Sequence, residues 1–366
     1  MRSAAIICEY NPFHQGHKYH IEETRRLAEA ECVIAIMSGC FVQRGEPAIQ
    51  DEQSRAQQAI AGGADLVMEL PYVYACSGAE LFASGGCRIA SLLGADVLSF
   101  GAESTDISTM TRIAEVLVEE PQEYRSRLRE ALEEGLSYAR SRQKALEHVM
   151  GTDAADMLTQ PNCILGIEYI KAILRDRANG YVAPEPMAVL RIGAPHGSVE
   201  DSRYSATAAR RNMDSSFKAV DGLDSFSQAI ISALRRMSPE NIALYGDMEP
   251  GLENRIKAAS EDSVTLMQLV SRVANKRITE ARVRRILCNI LTGETREMRT
   301  AAAAKGPYLR VLAVSETGRR FLRQYRGEVP AFTRIKDVDR FCRSQDSSMF
   351  NIERMAKEQF RLASRS

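Results

Sequence analysis

The sequence predicts an α/β fold: a parallel sheet covered by helices on both faces, followed by a mostly helical, basic C-terminal part. Three observations predict it. Short apolar runs alternate with amphipathic stretches over the first hundred residues. The periodicity turns mainly helical after about residue 220. Charge, zero over the whole chain, divides unevenly: residues 1–110 carry 7 Lys and Arg against 14 Asp and Glu, and residues 265–366 carry 22 against 10. A basic part of that size suits contact with a polyanion. Chance variation in solvated faces is the competing explanation.

The elements follow in order. "AAIICEY" (4–10) reads as a buried strand and "YHIEETRRLAEAE" (19–31) as an amphipathic helix. "CVIAIMSG" (32–39) is a second buried strand, "DEQSRAQQAIAGGA" (51–64) a helix with a glycine stop, and "DLVMELP" (65–71) a third strand. "AELFASGGCRIASLLGA" (79–95) is helical despite its glycine pair, and "DVLSFGAES" (96–104) is a fourth strand. Strand and helix alternating at this spacing mean βαβ crossovers and a parallel sheet. Residues 105–150 look wholly helical, an insertion reaching to about 160. Proline opens a helix over 161–177, and "PEPMAVLRIGAPHG" (185–197) holds a further strand. The expected division places 1–218 in one domain and 219–366 in a second, mainly helical one.

No apolar run approaches the ~20 residues that span a bilayer, and Glu9 interrupts the N-terminus too early for a secretory leader. A cytoplasmic location follows. The eight cysteines are scattered with no C-x-x-C pair, so they read as reduced core thiols rather than a disulfide framework.

"YNPFHQGHKYH" (10–20) holds three of the five histidines. It lies where the first strand hands over to the first helix, at the edge of the sheet where α/β proteins bind ligands. Gly16 lets backbone approach a ligand, and the helix N-terminus favours phosphate. His14 and His17 are then placed to donate hydrogen bonds to phosphate oxygens during nucleotidyl transfer. A zinc site would need further ligands at metal spacing, and His20 lies on a different helical face. Plain structural histidines are the other alternative.

On these residues the chain resembles the nucleotidyltransferase superfamily with its H-x-G-H motif. "EYNPFHQGHKYH", "IMSGCFVQRGEPA", "ADLVMELPYVYA", "FGAES", "PNCILGIEYIKA" and "RIGAPH" followed by "SATAARR" resemble, more closely, the bacterial tRNA(Met) cytidine acetate ligases. The motifs run in family order from residue 4 to about 213. A weaker match continues through "NKRITEARVRRIL" and "YLRVLAVSETGRRFL".

The resemblance implies a Rossmann-like nucleotidyltransferase domain over 1–218 and a tRNA-binding domain over 219–366. It implies an ATP-dependent ligase. Acetate is activated as acetyl-adenylate, and the acetyl group passes to N4 of the wobble cytidine of elongator tRNA(Met), giving N4-acetylcytidine. Mg2+ accompanies ATP, and no zinc, membrane or DNA is expected. The family's nucleotide site maps onto Ile7, Cys8, Glu9, Tyr10, Asn11, Pro12, Phe13, His14, Gln15, Gly16, His17, Lys18, Tyr19 and His20, with Gly101, Asn162, Arg191 and Ile192. His14 and His17 are the catalytic pair.

Three further groups belong to these expectations. Gln43 and Arg44 stand in a glycine-flanked loop that can close over the site, with Arg44 suited to clamp a carboxylate or phosphate. Ser205, Thr207 and Arg210 resemble the superfamily's second phosphate-binding signature, or are a helix cap. Lys276, Arg277, Arg282, Arg284 and Arg285 crowd a helix start as RNA-phosphate contacts, with Arg310, Arg319, Arg320 and Arg323 extending the same face. The chain departs from the family pattern at Glu52 and Gln53, where a lysine and an aromatic are usual, and at Pro195, His196 and Gly197, where the loop is shorter. The alternatives are a small-molecule adenylyltransferase of the same superfamily and a non-catalytic RNA-binding protein.

Overall fold

Alternate residues of the first apolar run face opposite ways. Ala4 and Ile6 join one core cluster with Val33, Ala35, Met37 and Val67, and Ala5 joins the other with Ile34, Ile36, Leu66 and Met68. A strand buried on both faces has this signature. The structure, a computed structural model, describes residues 1–191, 220–345 and 347–364.

In chain order the first part runs β1 (Ser3–Cys8), α1 (Gln15–Leu27), β2 (Cys32–Ser38), β3 (Phe41–Val42), β4 (Glu46–Pro47), α2 (Glu52–Ala61), β5 (Leu66–Leu70), α3 (Tyr72–Ala75), α4 (Ala79–Leu93) and β6 (Val97–Ala102). The helical insertion follows as α5 (Ile107–Glu119), α6 (Gln122–Glu133), α7 (Tyr138–Met150) and α8 (Thr152–Asp156). It is broken at Pro121, which cannot extend a helix, and at Gly135, which has φ +83°. α9 (Pro161–Ala178) and β7 (Glu185–Leu190) complete this part.

The glycine pair in α4 is explained by packing. A Cβ at Gly85 would overlap the Tyr74 ring, and one at Gly86 would meet Ile7 of β1. The helix therefore lies closer to the sheet than any side chain there would allow.

The C-terminal part holds α10 (Ser227–Arg236), α11 (Pro239–Ile242), α12 (Leu252–Asp262), α13 (Leu266–Val273), α14 (Glu280–Thr292), α15 (Arg296–Lys305), β8 (Leu309–Val314), α16 (Glu316–Gln324), β9 (Ala331–Phe332), α17 (Ile335–Ser344) and α18 (Met349–Ala363). The main sheet has the order β7-β6-β1-β2-β5-β8-β9. The five strands from β7 to β5 are parallel; β8 runs antiparallel to β5. The sheet thus crosses the expected division at 218. "LRVLAV" leaves the helical pattern to become its sixth strand, bounded by Gly306 and Pro307 before and the Ser315 helix cap after. Chain order goes outward from β1 through β2 to β5 on one side and resumes with β6 on the other. The switch point lies between β1 and β6, where ligands of such sheets sit beyond the carboxyl ends.

Candidate functional site

β1 delivers the chain to that switch point. His14 ends the turn with extended backbone and becomes the N-cap of α1, its Nδ1 accepting from the Gly16 N–H at 3.1 Å. His17 reaches back: its Nδ1 accepts from the His14 N–H at 3.3 Å. The two histidines fill the roles that a hydroxyl and a glutamate fill in an ordinary capping box. Their rings stack with centroids 3.6 Å apart. In neutral imidazoles whose Nδ1 atoms accept, the protons sit on Nε2. Tyr10 and Phe13 pack behind His17, at 4.8 and 5.7 Å between centroids. Burial, then His14, His20 and Arg191, hold the His17 pKa well below the usual imidazole value. His20, bonded to Ser99 Oγ at 3.1 Å, is lowered to about 4 by burial and by Arg191.

The other side of the switch point is built from β6, α9 and the end of β7. Arg191 Nη1 donates to Asn162 Oδ1 at 3.4 Å, and a Cβ on Gly101 would lie 3.3 Å from Arg191 Cγ. Gly101, Asn162 and Arg191, far apart in sequence, share one rim. What Gly101 makes room for is the stem of Arg191. Asn162 is held in turn by Glu103, whose carboxylate accepts from Asn162 Nδ2 at 2.6 Å and from the Cys163 N–H at 3.0 Å. Burial raises the Glu103 pKa, but these donors outweigh it and the net shift is downward. Arg191 is exposed and its charge is felt at both His17 and His20. The N-terminus of α1, the stacked imidazoles and the Arg191 guanidinium thus share the switch point, and a helix N-terminus and a guanidinium suit phosphate.

The HIGH Nucleotidyl Transferase model matches residues 1–223 and 216–366. A tRNA(Met) cytidine acetate ligase of Acetivibrio thermocellus is 35% identical, over 93% of this chain and 90% of the relative. That of Caldanaerobacter subterraneus subsp. tengcongensis is 36% identical over 99% and 96%. The chain belongs to the tRNA(Met) cytidine acetate ligase family. Thermotoga maritima TmcAL bound with alpha-thio ATP superposes with a TM-score of 0.83 at 29% identity, over 98% of this chain and 91% of that one. The apo form of the same protein gives 0.87 at 28% identity, over 98% and 92%. Like the rest of the family, the chain is a ligase built on a nucleotidyltransferase fold.

The remaining expected residues of this family member divide into three groups. Ile192, Ser205, Thr207 and Arg210, with Pro195, His196 and Gly197, lie outside the described residues. Arg44 is exposed at the tip of the β3–β4 hairpin. The C-terminal basic residues differ in their surroundings. Arg282 donates to Glu249 at 2.7 Å and to the Asp247 carbonyl at 2.9 Å. Arg284 pairs with Glu46 and Glu280, and Arg285 pairs with Asp247 at 2.6 Å. In this structure these guanidinium groups are paired with carboxylates on neighbouring elements. Lys276 and Arg277, in the turn before α14, are exposed, as are Arg319, Arg320 and Arg323.

Arg310 is corrected, since it does not extend an exposed face. It is 7% exposed and lies in β8, paired with Glu69 at 2.7 Å and Glu52 at 3.0 Å. Lys357 of α18 joins the same two carboxylates, 3.6 Å from Glu353. Glu52, Glu69 and Glu353 are close enough together to hold a metal ion, but the Lys357 ammonium stands among them. Gln53 Nε2 donates to the Leu312 carbonyl. The two departures from the family pattern, Glu52 and Gln53, therefore bind β8 and α18 rather than facing the nucleotide site.

Sequence reasoning missed Glu103 and Arg55. Arg55 is fully buried and donates to the carbonyls of Glu9, Ser38, Gly39 and Gln50. It thereby ties the carboxyl ends of β1 and β2 together. The available signal was an arginine on the otherwise alanine- and isoleucine-lined inner face of α2.

Proposed function

We propose that the chain activates acetate with MgATP and acetylates N4 of the wobble cytidine in elongator tRNA(Met). An acetate oxygen attacks the α-phosphorus of ATP. The bond to the β-phosphate oxygen breaks, leaving acetyl-adenylate and pyrophosphate. The cytidine amine then attacks the acetyl carbonyl, AMP leaves, and the amine loses one proton. His14 and His17 donate from Nε2 to phosphate oxygens as charge builds, and Arg191 adds its positive field. Each such donor contributes roughly 2.7–4 kcal/mol of transition-state stabilisation.

The observation that carries the reading is the pair of imidazoles with both Nδ1 atoms engaged on backbone at the N-terminus of α1. The relatives' names supply the acceptor and the acid. The experiment is incubation with MgATP, labelled acetate and total tRNA, followed by nucleoside analysis. Label in N4-acetylcytidine supports the reading. Acetate-independent pyrophosphate exchange with no labelled nucleoside refutes it and favours a small-molecule adenylyltransferase. The pairing of Arg282, Arg284 and Arg285 with carboxylates gives that second reading its weight, since these are three expected partners of RNA phosphate.

A further inference from the structure

The hairpin that carries Arg44 is too small to fix its own shape. Its strands are two residues each, Phe41–Val42 and Glu46–Pro47, far below the length at which a hairpin is stable alone. It is held from outside on two sides. On the sheet side the Gln43 N–H donates to Glu9 Oε1 at 2.8 Å, and Glu9 directly follows β1. On the other side is α14. Arg285 Nη1 donates to the Gln43 carbonyl at 3.4 Å, and Arg284 pairs with Glu46. Gly45, at φ +74°, leaves no room for a Cβ against the backbone of Arg284 and Arg285.

The residues flanking Arg44 are thus bound to a helix some 240 positions later in the chain. Both arginines are themselves steadied: Arg285 by Asp247, Arg284 by Glu280. Arg44 makes no hydrogen bond or ion pair with the described residues. Its backbone is fixed while its guanidinium stays open to solvent, in a hairpin tied through Gln43 to Glu9, five residues before His14.

We propose that Arg284 and Arg285 are positioning residues that hold the hairpin so that Arg44 meets the phosphates of ATP. This rests on the nucleotide-dependent reading above. The C-terminal part then completes the nucleotide site, and the two arginines expected to touch RNA act on the first half-reaction instead.

The test is a double-mutant cycle on the full chain, read by calorimetric titration with MgATP and accompanied by thermal unfolding. Arg44→Ala and Arg284→Ala are each expected to weaken ATP binding about tenfold, the effect of removing one charge-assisted hydrogen bond. If Arg284 acts through Arg44, the double variant binds within about twofold of Arg44→Ala. Losses that multiply to about a hundredfold, or an Arg284→Ala variant that binds like the parent, overturn the proposal. Should Arg284→Ala unfold, Glu46→Gln removes the same tie from the hairpin side and takes its place in the cycle. Acetate-dependent pyrophosphate exchange by the parent reports separately on the ligase reading. A parent that binds ATP but shows no such exchange sinks that reading and leaves the cycle to be judged on binding. A parent that does not bind ATP overturns both.

Discussion

The imidazole of His17 accepts the backbone N–H of His14 while stacking on the His14 ring, 3.6 Å between centroids. One residue pair therefore caps α1 through its Nδ1 atoms and carries its ring protons on Nε2. The two roles separate by substitution. His14→Ser and His17→Glu keep side chains able to cap but remove the imidazole Nε2 donors. We expect each to fold normally and to lose about 10²–10³ in acetate-dependent pyrophosphate exchange. His14→Ala should lose the same activity and in addition roughly 1 kcal/mol of stability with the cap. Near-parental exchange in His14→Ser and His17→Glu would end the phosphate-binding role of the pair.

Acid should destabilise the protein through the same turn. His20 has a pKa of about 4 in the folded chain against about 6.5 unfolded. Below pH 6.5 the unfolded chain binds more protons, so stability falls as pH drops from about 6.5 towards about 4. His20→Gln can keep a hydrogen bond to Ser99 without titrating. Its unfolding free energy should vary less with pH across that window than the parent's. Identical acid limbs would show that His20 is not a neutral, buried imidazole.

A second buried group predicts the opposite slope at higher pH. Burial, then the neighbouring Glu69, push the Glu353 carboxyl up to about 8, against the pull of Lys357. Its Oε2 accepts the Tyr72 N–H at 2.6 Å, and Glu52, Arg310 and Tyr308 complete its surroundings. Between about 4.5 and about 8 the folded chain holds the extra proton, so stability falls as pH rises through that window and levels off above it. Glu353→Gln should abolish this decline and unfold at higher temperature than the parent at about pH 9. A parent with no decline across that window would place the proton elsewhere in the cluster.

How much of this is legible in the sequence depends on the range of each contact. The turn with His14, Gly16 and His17 is local, and motif and periodicity together locate it. Gly101, Asn162 and Arg191 are assigned through a family resemblance, and their meeting at one rim follows from the order β7-β6-β1. The carboxylate partners of the α14 arginines are not legible, because a basic run looks the same whether its partners are phosphates or carboxylates. Glu46, Asp247 and Glu249 are brought to it only by the fold. β8 escapes notice for a related reason: six apolar-rich residues have no distinguishing period, and the arginine within them is neutralised by Glu69 and Glu52, from elements far earlier in the chain.

Arg55 marks the structural limit of the site. Its guanidinium serves four backbone carbonyls with no solvent to replace it. Arg55→Met fills similar volume but strands those acceptors, at about 1–3 kcal/mol each where water cannot enter. We expect a loss of several kcal/mol in chemical denaturation, together with loss of ATP binding as the ends of β1 and β2 separate. A variant that binds ATP normally would show that the strand ends are held by other means.

The last prediction concerns where RNA phosphate is met. Lys276 and Arg277 sit in the turn that Asn275 builds by accepting the N–H groups of Arg277 and Ile278 at 2.7 and 2.8 Å. Both side chains are exposed, and neither takes part in the network around Glu46 and Asp247. Replacing both with Ala should weaken tRNA binding and flatten its salt dependence. The slope should fall by roughly 0.7–0.9 for each phosphate that is no longer neutralised. Pyrophosphate exchange without tRNA should be unchanged, because neither side chain takes part in the ion pairs that hold the hairpin. The triple replacement Arg282→Ala, Arg284→Ala and Arg285→Ala should behave differently. It breaks ion pairs to Glu249, Glu46 and Asp247, so exchange should fall whether or not tRNA is present. Its salt slope should stay close to the parent's, since guanidinium groups already paired with carboxylates release few counterions from RNA. A steep slope abolished in the triple variant and kept in the double one would reverse the assignment. In that case the ion pairs of α14 open to receive the tRNA, and Glu46 gives up Arg284 whenever RNA is bound.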